Sequence, residues 1–369
     1  MKNVLGRRAR RAGSVLGRGF AAGGMLFIVT ATLAAQTPQG DTAAKAPKAY
    51  TPPPMFRETQ LLQFTLKAPF KQLKKERSGV TPYRPAEITY TGDSGEVRVP
   101  LRVRTRGIWR RKNCDIPPLR LNFKKDSTKK TAFRHLDGAR LVIHCRNGDD
   151  YEQFVLQEFN LYRVQRLLTP LSLDARLVRV TYVDPERKDT LAQRYGFILE
   201  DEATFGTRVG GKVVDIKGAT GDDLDGPESA MFGVFEYFIG NTDFSIAALH
   251  NVALLQKEAT YYPVAYDFDW SGAVNTRYAS PPEQLPIKRV TERIMRGYCT
   301  DPANYEKAFA VFKEKKEAIY ALYRDSLGAL MRPNVVDRTL KFFDEFYEVI
   351  NDSRLANRFI IKACLAHQA

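Results

Sequence analysis

GNTDFSIAALHNVALLQKEATYYPVAYDFDWSG, residues 240–272, decides how the rest of the chain is read. Asn-Val-Ala-Leu-Leu-Gln and Tyr-Tyr-Pro-Val-Ala-Tyr-Asp read as the two arms of a short β-hairpin. With Gln256 and Tyr261 flanking the turn, Asn251 lies five residues before it and Asp267 six after, so the strands bring the two nearly opposite each other. A loop holding Asp243 then delivers a third oxygen ligand, or a base, to the same end. Two carboxylates and an amide are hard oxygen donors of the sort that Mg²⁺ or Mn²⁺ uses while also holding substrate phosphates. Asp269 competes with Asp267 for the metal role. His250 reads first as a hydrogen-bonded core residue, and Trp109 and Trp270 as structural aromatics.

Working outward toward the N-terminus, residues 61–66 alternate as a strand. A hairpin follows in which residues 87–90 and 97–103 flank Thr91-Gly92-Asp93-Ser94-Gly95. Alternation continues through Arg102, Arg104 and Arg106, which places these arginines on one face. Residues 118–124 and 139–145 give two more strands. Residues 151–168 carry apolar side chains at helical spacing up to the stop at Thr169-Pro170. Residues 176–184 and 191–202 add two strands joined through Pro185-Glu186-Arg187-Lys188. The Gly- and Asp-rich residues 206–225 read as a mobile loop, and residues 229–238 as an apolar helix. Beyond Pro281-Pro282 helical patterns dominate, at residues 302–330, 335–350 and 353–364. This is an α+β chain: an antiparallel sheet lobe with one helix, residues 56–202, and a mostly helical C-terminal lobe, residues 203–369.

The ends and the composition add a setting. Lys2, Arg7, Arg8, Arg10, Arg11 and Arg18 precede an apolar run over residues 20–35, a secretory signal pattern with Thr32 and Ala34 at the cleavage positions; an uncleaved membrane anchor is the alternative. Residues 36–55, rich in Ala, Pro, Thr and Lys, read as a flexible spacer. The expectation is an exported protein, periplasmic or extracellular. Losing residues 1–35 removes six positive charges and lowers the formal charge from +15 to +9, which still favours phosphorylated or anionic-surface partners. No zinc knuckle or recognition helix is present, so nucleic acid is not an expected partner. The four cysteines, Cys114, Cys145, Cys299 and Cys364, are too widely spaced for a zinc motif and point to one or two structural disulfides, with three pairings open. No Gly-x-Ser-x-Gly elbow supports a serine hydrolase.

Four segments carry a family resemblance: Arg104-Thr105-Arg106-Gly107, the Leu119 to Phe123 strand, residues 194–200 (Arg-Tyr-Gly-Phe-Ile-Leu-Glu), and Tyr266-Asp267-Phe268-Asp269. Together they resemble the CotH family of atypical secreted kinases, and Gly240-Asn241-Thr242-Asp243 is similar to the catalytic segment of HipA-type kinases. The resemblance covers residues 85–275 and implies a protein-kinase-like two-lobe arrangement. It implies Asp243 as the group that orients or deprotonates the attacking hydroxyl, and Asn251 with Asp267 or Asp269 as holders of Mg²⁺ or Mn²⁺ against ATP. Glu200 would lie at the lobe junction where adenine binds. Arg104, Arg106 and Arg120 would contact phosphate, with Glu158 pairing one of them. The chain departs from the usual kinase pattern in lacking a Gly-rich phosphate loop, and Arg120 or Lys124 would stand in for the phosphate-binding lysine.

Three functions are consistent with these residues. One is an exported kinase that phosphorylates a protein or small-molecule hydroxyl. Another is a non-catalytic relative that binds an anionic envelope component or a nucleotide. The last is a metal-dependent phosphodiesterase that turns the same oxygen ligands on a water.

Overall fold

The computed structural model describes residues 50–186 and 190–366. The expected signal segment with Thr32 and Ala34, most of the spacer, and Arg187 and Lys188 of the expected turn lie outside the described residues.

Seven strands form the first half: β1 (Leu62–Lys67), β2 (Arg84–Gly92), β3 (Gly95–Thr105), β4 (Leu119–Phe123), β5 (Gly138–Val142), β6 (Ala175–Val183) and β7 (Thr190–Leu199). They close into a barrel in the order β1-β2-β3-β4-β5-β7-β6. The local pairings follow from the sequence: β2 and β3 meet at a tight turn with Gly92 opposite Gly95. On β3, Val99, Leu101 and Val103 point inward while Arg98 and Arg102 stay exposed. Closure comes from β1, which pairs antiparallel with β2 and parallel with β6, from Leu62 opposite Val178 to Lys67 opposite Val183.

That closure corrects the expected fold. A protein-kinase-like two-lobe arrangement with an antiparallel sheet lobe is not what the chain forms; its sheet is mixed and closed, with helices on the C-terminal side. Alternation and turn residues specify hairpins between neighbours in sequence, whereas the β1–β6 pair joins distant segments and leaves no local trace. A closed barrel also removes the free edges that an open sheet would expose.

The barrel interior is one apolar cluster containing Phe64, Leu66, Ile88, Leu121, Phe133 and Val180. A second cluster lies outside it. Helix α1 (Asp149–Leu168) sets Val155, Leu156, Phe159 and Tyr162 against Phe197 of the barrel wall and against the helices that follow. Helix α2 (Gly226–Ile239) is buried along most of its length, and Phe238 stacks on Phe343 with ring centroids 4.3 Å apart. Each such buried ring contributes roughly 1.5–3 kcal/mol, so this aromatic packing is a main anchor for the C-terminal half. Helices α3 (Pro302–Leu322) and α4 (Pro333–Asn351) complete it, each with proline in its first turn, where the missing N–H costs nothing.

A second sheet has the order β10-β9-β8, from β8 (Lys212–Val214), β9 (Val252–Lys257) and β10 (Thr260–Ala265). The expected mobile loop is therefore partly ordered, holding a short helix, Glu202–Arg208, and the edge strand β8. Gly211 allows this edge to dock, because a Cβ there would lie 2.7 Å from the Gln256 carbonyl. Disulfides join Cys114 to Cys145 and Cys299 to Cys364, bonds of the kind that persists in an oxidising, exported environment. No described helix is long and apolar enough to cross a membrane.

Candidate functional site

The end of α2 builds the site. Gly240 takes φ 65°, the left-handed turn that ends a helix, and the Asn241 N–H returns to the Glu236 carbonyl at 2.9 Å. The Asn241 Oδ1 then accepts from the Asp243 N–H at 3.0 Å, setting Asp243 just beyond the helix. The same helix end holds the second acidic segment: the Gly272 N–H donates to the Gly240 carbonyl at 3.0 Å and the Ala273 N–H to the Ile239 carbonyl at 2.9 Å. Side chains at either glycine would block this contact, since a Cβ on Gly240 would meet Phe342 at 2.9 Å and one on Gly272 the Val290 carbonyl at 2.4 Å.

The β9–β10 hairpin supplies the rest. Gln256 pairs with Tyr261 and Val252 with Ala265, so Asn251 and Asp267 emerge from the hairpin's foot, with the Tyr266 N–H donating to the Asn251 carbonyl at 3.1 Å. Both residues adopt left-handed backbone, φ 54° at Asn251 and φ 67° at Asp267, conformations that cost free energy outside glycine and are held here by their surroundings. For Asp267 part of the hold is its N–H, which donates to the Tyr162 hydroxyl of α1 at 2.8 Å.

These residues line a cavity of about 470 Å³ that also takes in Arg106, Trp109, Arg110, Asp269 and Trp270. Asp243 is bracketed by donors: His250 Nε2 lies 3.0 Å from Oδ1 and Asn251 Nδ2 3.1 Å from Oδ2. The bond to Asp243 raises the His250 pKa, which favours an imidazolium beside the carboxylate. With its Nδ2 committed to Asp243, the Asn251 amide has Oδ1 left as an acceptor. The Asp267 carboxylate forms no hydrogen bond or ion pair within 4 Å among the described residues.

In the cavity lining one cation serves two acids. Arg110, buried, places Nη1 3.9 Å from Glu158 Oε2 and 3.8 Å from Asp269 Oδ2, and donates through Nη2 to the Ile143 carbonyl. The Tyr278 hydroxyl donates to Asp269 Oδ2 at 2.8 Å. Burial, then the charges of Asp269 and Asp267, pushes Glu158 well above the usual carboxylate range, and burial with Asp267 raises Asp269 as well. Two buried carboxyls under one guanidinium each hold a proton more tightly than an exposed carboxyl does.

The sequence-derived candidates fall into two groups. Asp243, Asn251, Asp267, Asp269 and Arg106 converge on the cavity, and Glu158 lies beneath it behind Arg110. Arg104 instead packs over the Tyr83 ring at 4.7 Å on the outer face of the barrel. Arg120 pairs with Asp201. Glu200 is fully buried, bound to Arg208 at 2.8 Å and accepting from the Asp174 N–H at 3.0 Å, so its carboxylate is spent on a structural network. Sequence reasoning passed over Arg110, whose position just after Arg106-Gly107 was the available signal. It also passed over the contact between Trp109 and Trp270, with centroids 5.8 Å apart, and over Arg140, whose guanidinium lies over Tyr266 at 4.7 Å.

Among the described residues no three His, Cys, Asp or Glu side chains form a metal cage. The donor set suits a different mode, in which Mg²⁺ or Mn²⁺ takes one carboxylate and one amide oxygen from the protein and its other ligands from water and phosphate. Asn251 and Asp267 bring one amide oxygen and one carboxylate to the same cavity lining. Compared with known families and curated proteins, the chain matches no family model and no curated sequence.

Proposed function

We propose that this protein is an exported phosphotransferase that moves a phosphoryl group from a nucleoside triphosphate, ATP in the first instance, to a hydroxyl of a protein or small molecule. The observation that carries the reading is the Asn251 amide, which fixes Asp243 with its nitrogen and keeps its oxygen as an acceptor in a cavity that Asp267 also lines. Asp243 as base and Asn251 and Asp267 as oxygen ligands, all lining the same cavity, support the reading. Mg²⁺ or Mn²⁺ held by Asn251 and Asp267 would neutralise charge on the phosphates.

The chain's own residues supply the rest. The acceptor oxygen attacks the γ-phosphorus, its proton passes to the Asp243 carboxylate, and the bond to the bridging oxygen breaks to release the nucleoside diphosphate. His250 and Asn251 hold the two carboxylate oxygens and so aim the base. Arg106 and Arg110, in the lining of the same cavity, meet phosphate charge with guanidinium donors. The disulfides and the basic-then-apolar N-terminal segment support secretion into a periplasm or the medium, or display from an uncleaved anchor. The chain's positive charge favours an acceptor on an anionic envelope component.

Thermal shift with ATP and Mg²⁺ or Mn²⁺, followed by phosphate transfer to an envelope extract, tests the reading. Binding and transfer are expected, with Asp243→Asn losing at least about 100-fold of the transfer while keeping the nucleotide shift. No shift in a folded sample sinks the proposal. Nucleotide binding without transfer favours the binding-protein alternative, and acceptor-independent cleavage of phosphodiesters favours the hydrolase.

A further inference from the structure

The backbone on either side of Asp243 is gripped from outside its own loop. Arg296 donates through Nη1 to the Thr242 carbonyl and, at 3.1 Å, to the Phe244 carbonyl, and its guanidinium lies 5.3 Å from the centre of the Phe244 ring. Thr242 and Phe244 are both buried, so water does not compete for those carbonyls. The segment carrying Arg296 is itself fastened at several points. Gly297 crosses Gly233 of α2 so closely that a Cβ on Gly297 would lie 2.7 Å from the Gly233 Cα. The Leu365 N–H donates to the Gly297 carbonyl and the Cys299 N–H to the Leu365 carbonyl, both at 2.9 Å, beside the Cys299–Cys364 disulfide. Arg293 holds the other side, donating to the Phe238 and Phe342 carbonyls and stacking 3.5 Å over Phe342.

We propose that Arg296 is a positioning residue of the site, a clamp that holds the carbonyls of Thr242 and Phe244, the residues on either side of Asp243, and is itself held in place by the Gly233–Gly297 contact and the C-terminal disulfide. The inference rests on Asp243 being the reacting base and adds a specific device to it. α2 determines where the Asp243 loop begins, through Gly240 and Asn241. Asn241 Oδ1 holds the Asp243 N–H and Asn251 Nδ2 the Asp243 carbonyl, but neither reaches the Phe244 carbonyl, where the loop runs on. One guanidinium on the Thr242 and Phe244 carbonyls, one on each side of Asp243, ties the two ends of this turn together. Misplacing a reacting group by about 1 Å is enough to cost roughly 100-fold in rate, so a clamp acting only through backbone can matter as much as a residue in contact with substrate.

The experiment compares full-length wild-type, Arg296→Met and Arg296→Lys proteins by hydrogen–deuterium exchange of peptides spanning residues 241–246, by melting temperature and by steady-state kinetics. In R296M those amides are expected to exchange about tenfold faster or more, with the barrel peptides unchanged, and kcat is expected to fall by about 10- to 100-fold with the nucleotide KM within about twofold. R296K, which keeps the charge on a single ammonium, is expected to recover part of both. Folded R296M that exchanges residues 241–246 at the wild-type rate would overturn the clamp, and this holds whether or not the wild-type protein transfers phosphate. A drop in melting temperature with exchange rising throughout the chain would also overturn it, by making Arg296 a general structural residue.

Discussion

Asn251 Nδ2 donates to Asp243 twice, to the backbone carbonyl at 2.7 Å and to the Oδ2 carboxylate oxygen at 3.1 Å. A single amide thus ties the foot of the β9–β10 hairpin to the loop that follows α2, the two segments whose convergence makes the site. The position asks for two properties at once, an amide and a tolerance of φ 54°. The two can be separated. Asn251→Gly accepts the backbone and loses the amide, whereas Asn251→Ala loses the amide and also pays about 1 kcal/mol for left-handed backbone. Both are expected to reduce phosphate transfer by at least about 100-fold, while only N251A shows the additional destabilisation in urea unfolding. Wild-type transfer by N251G would remove Asn251 from the site.

Arg110 is the sole cation within 4 Å of either Glu158 or Asp269 among the described residues. Arg110→Met keeps much of the side-chain volume and leaves two buried carboxyls without a counter-charge, a change that typically costs about 3–5 kcal/mol. Because burial already raises Glu158, the variant can relieve part of this by protonation. The loss in urea unfolding should therefore be largest near pH 8 and smaller near pH 5. A loss that is the same at both pH values would mean that the guanidinium acts by packing rather than by charge.

How much of this was legible in the sequence depends on the range of the interaction. The hairpin at 251–267 was readable because strand register follows from a short turn, and it delivers Asn251 and Asp267 to one place as expected. Asp243 joins them through Gly240 and Asn241, whose turn chemistry is also local. The parallel β1–β6 pair, which closes the barrel, was invisible because no periodicity records which distant strand a given strand will meet. For the same reason an arginine's partner could not be read. Arg104 and Arg106 sit two residues apart on one expected face, yet Arg104 packs on Tyr83 while Arg106 reaches the cavity just past the end of β3. Arg296 could not be seen at all, since its role is fixed by the Gly233–Gly297 contact and not by its own neighbours.

The Cys114–Cys145 disulfide lies next to the cavity wall. The turn Trp109–Asn113 carries Trp109 and Arg110, and it is pinned at its end by this bond and by the Asp115 N–H donating to the Cys145 carbonyl at 2.7 Å. Replacing both cysteines by serine is expected to cost about 2–4 kcal/mol of stability. The larger consequence should be local: nucleotide-induced thermal shift is expected to fall sharply in the Cys114→Ser, Cys145→Ser protein under conditions where circular dichroism shows the barrel intact. An unchanged nucleotide shift would show that Trp109 and Arg110 hold their places without the bond, or that they do not contact the ligand.

His144 gives the clearest pH dependence outside the cavity. It is 1% exposed, neither ring nitrogen has a hydrogen-bond partner among the described residues, and its ring meets Tyr182 edge-on with centroids 5.6 Å apart. Burial, reinforced by the charges of Arg194 and Arg110 and opposed by Asp115, lowers its pKa to about 4. The unfolded chain, with an imidazole near 6.5, binds this proton over a range where the folded chain does not. Stability is therefore fully present above about pH 6.5 and is lost as pH falls toward 4, by about 3 kcal/mol from this residue alone. Carboxylates elsewhere add their own acid sensitivity, so the informative quantity is the difference between wild type and His144→Phe, which keeps an aromatic ring and cannot be protonated. In urea unfolding at pH 7, 5.5 and 4 the variant should start within about 1 kcal/mol of wild type and gain on it at each step down. A difference that stays constant from pH 7 to pH 4 would mean that His144 is protonated as readily in the folded protein as in the unfolded chain, and that the pocket between β5 and Tyr182 admits the charge.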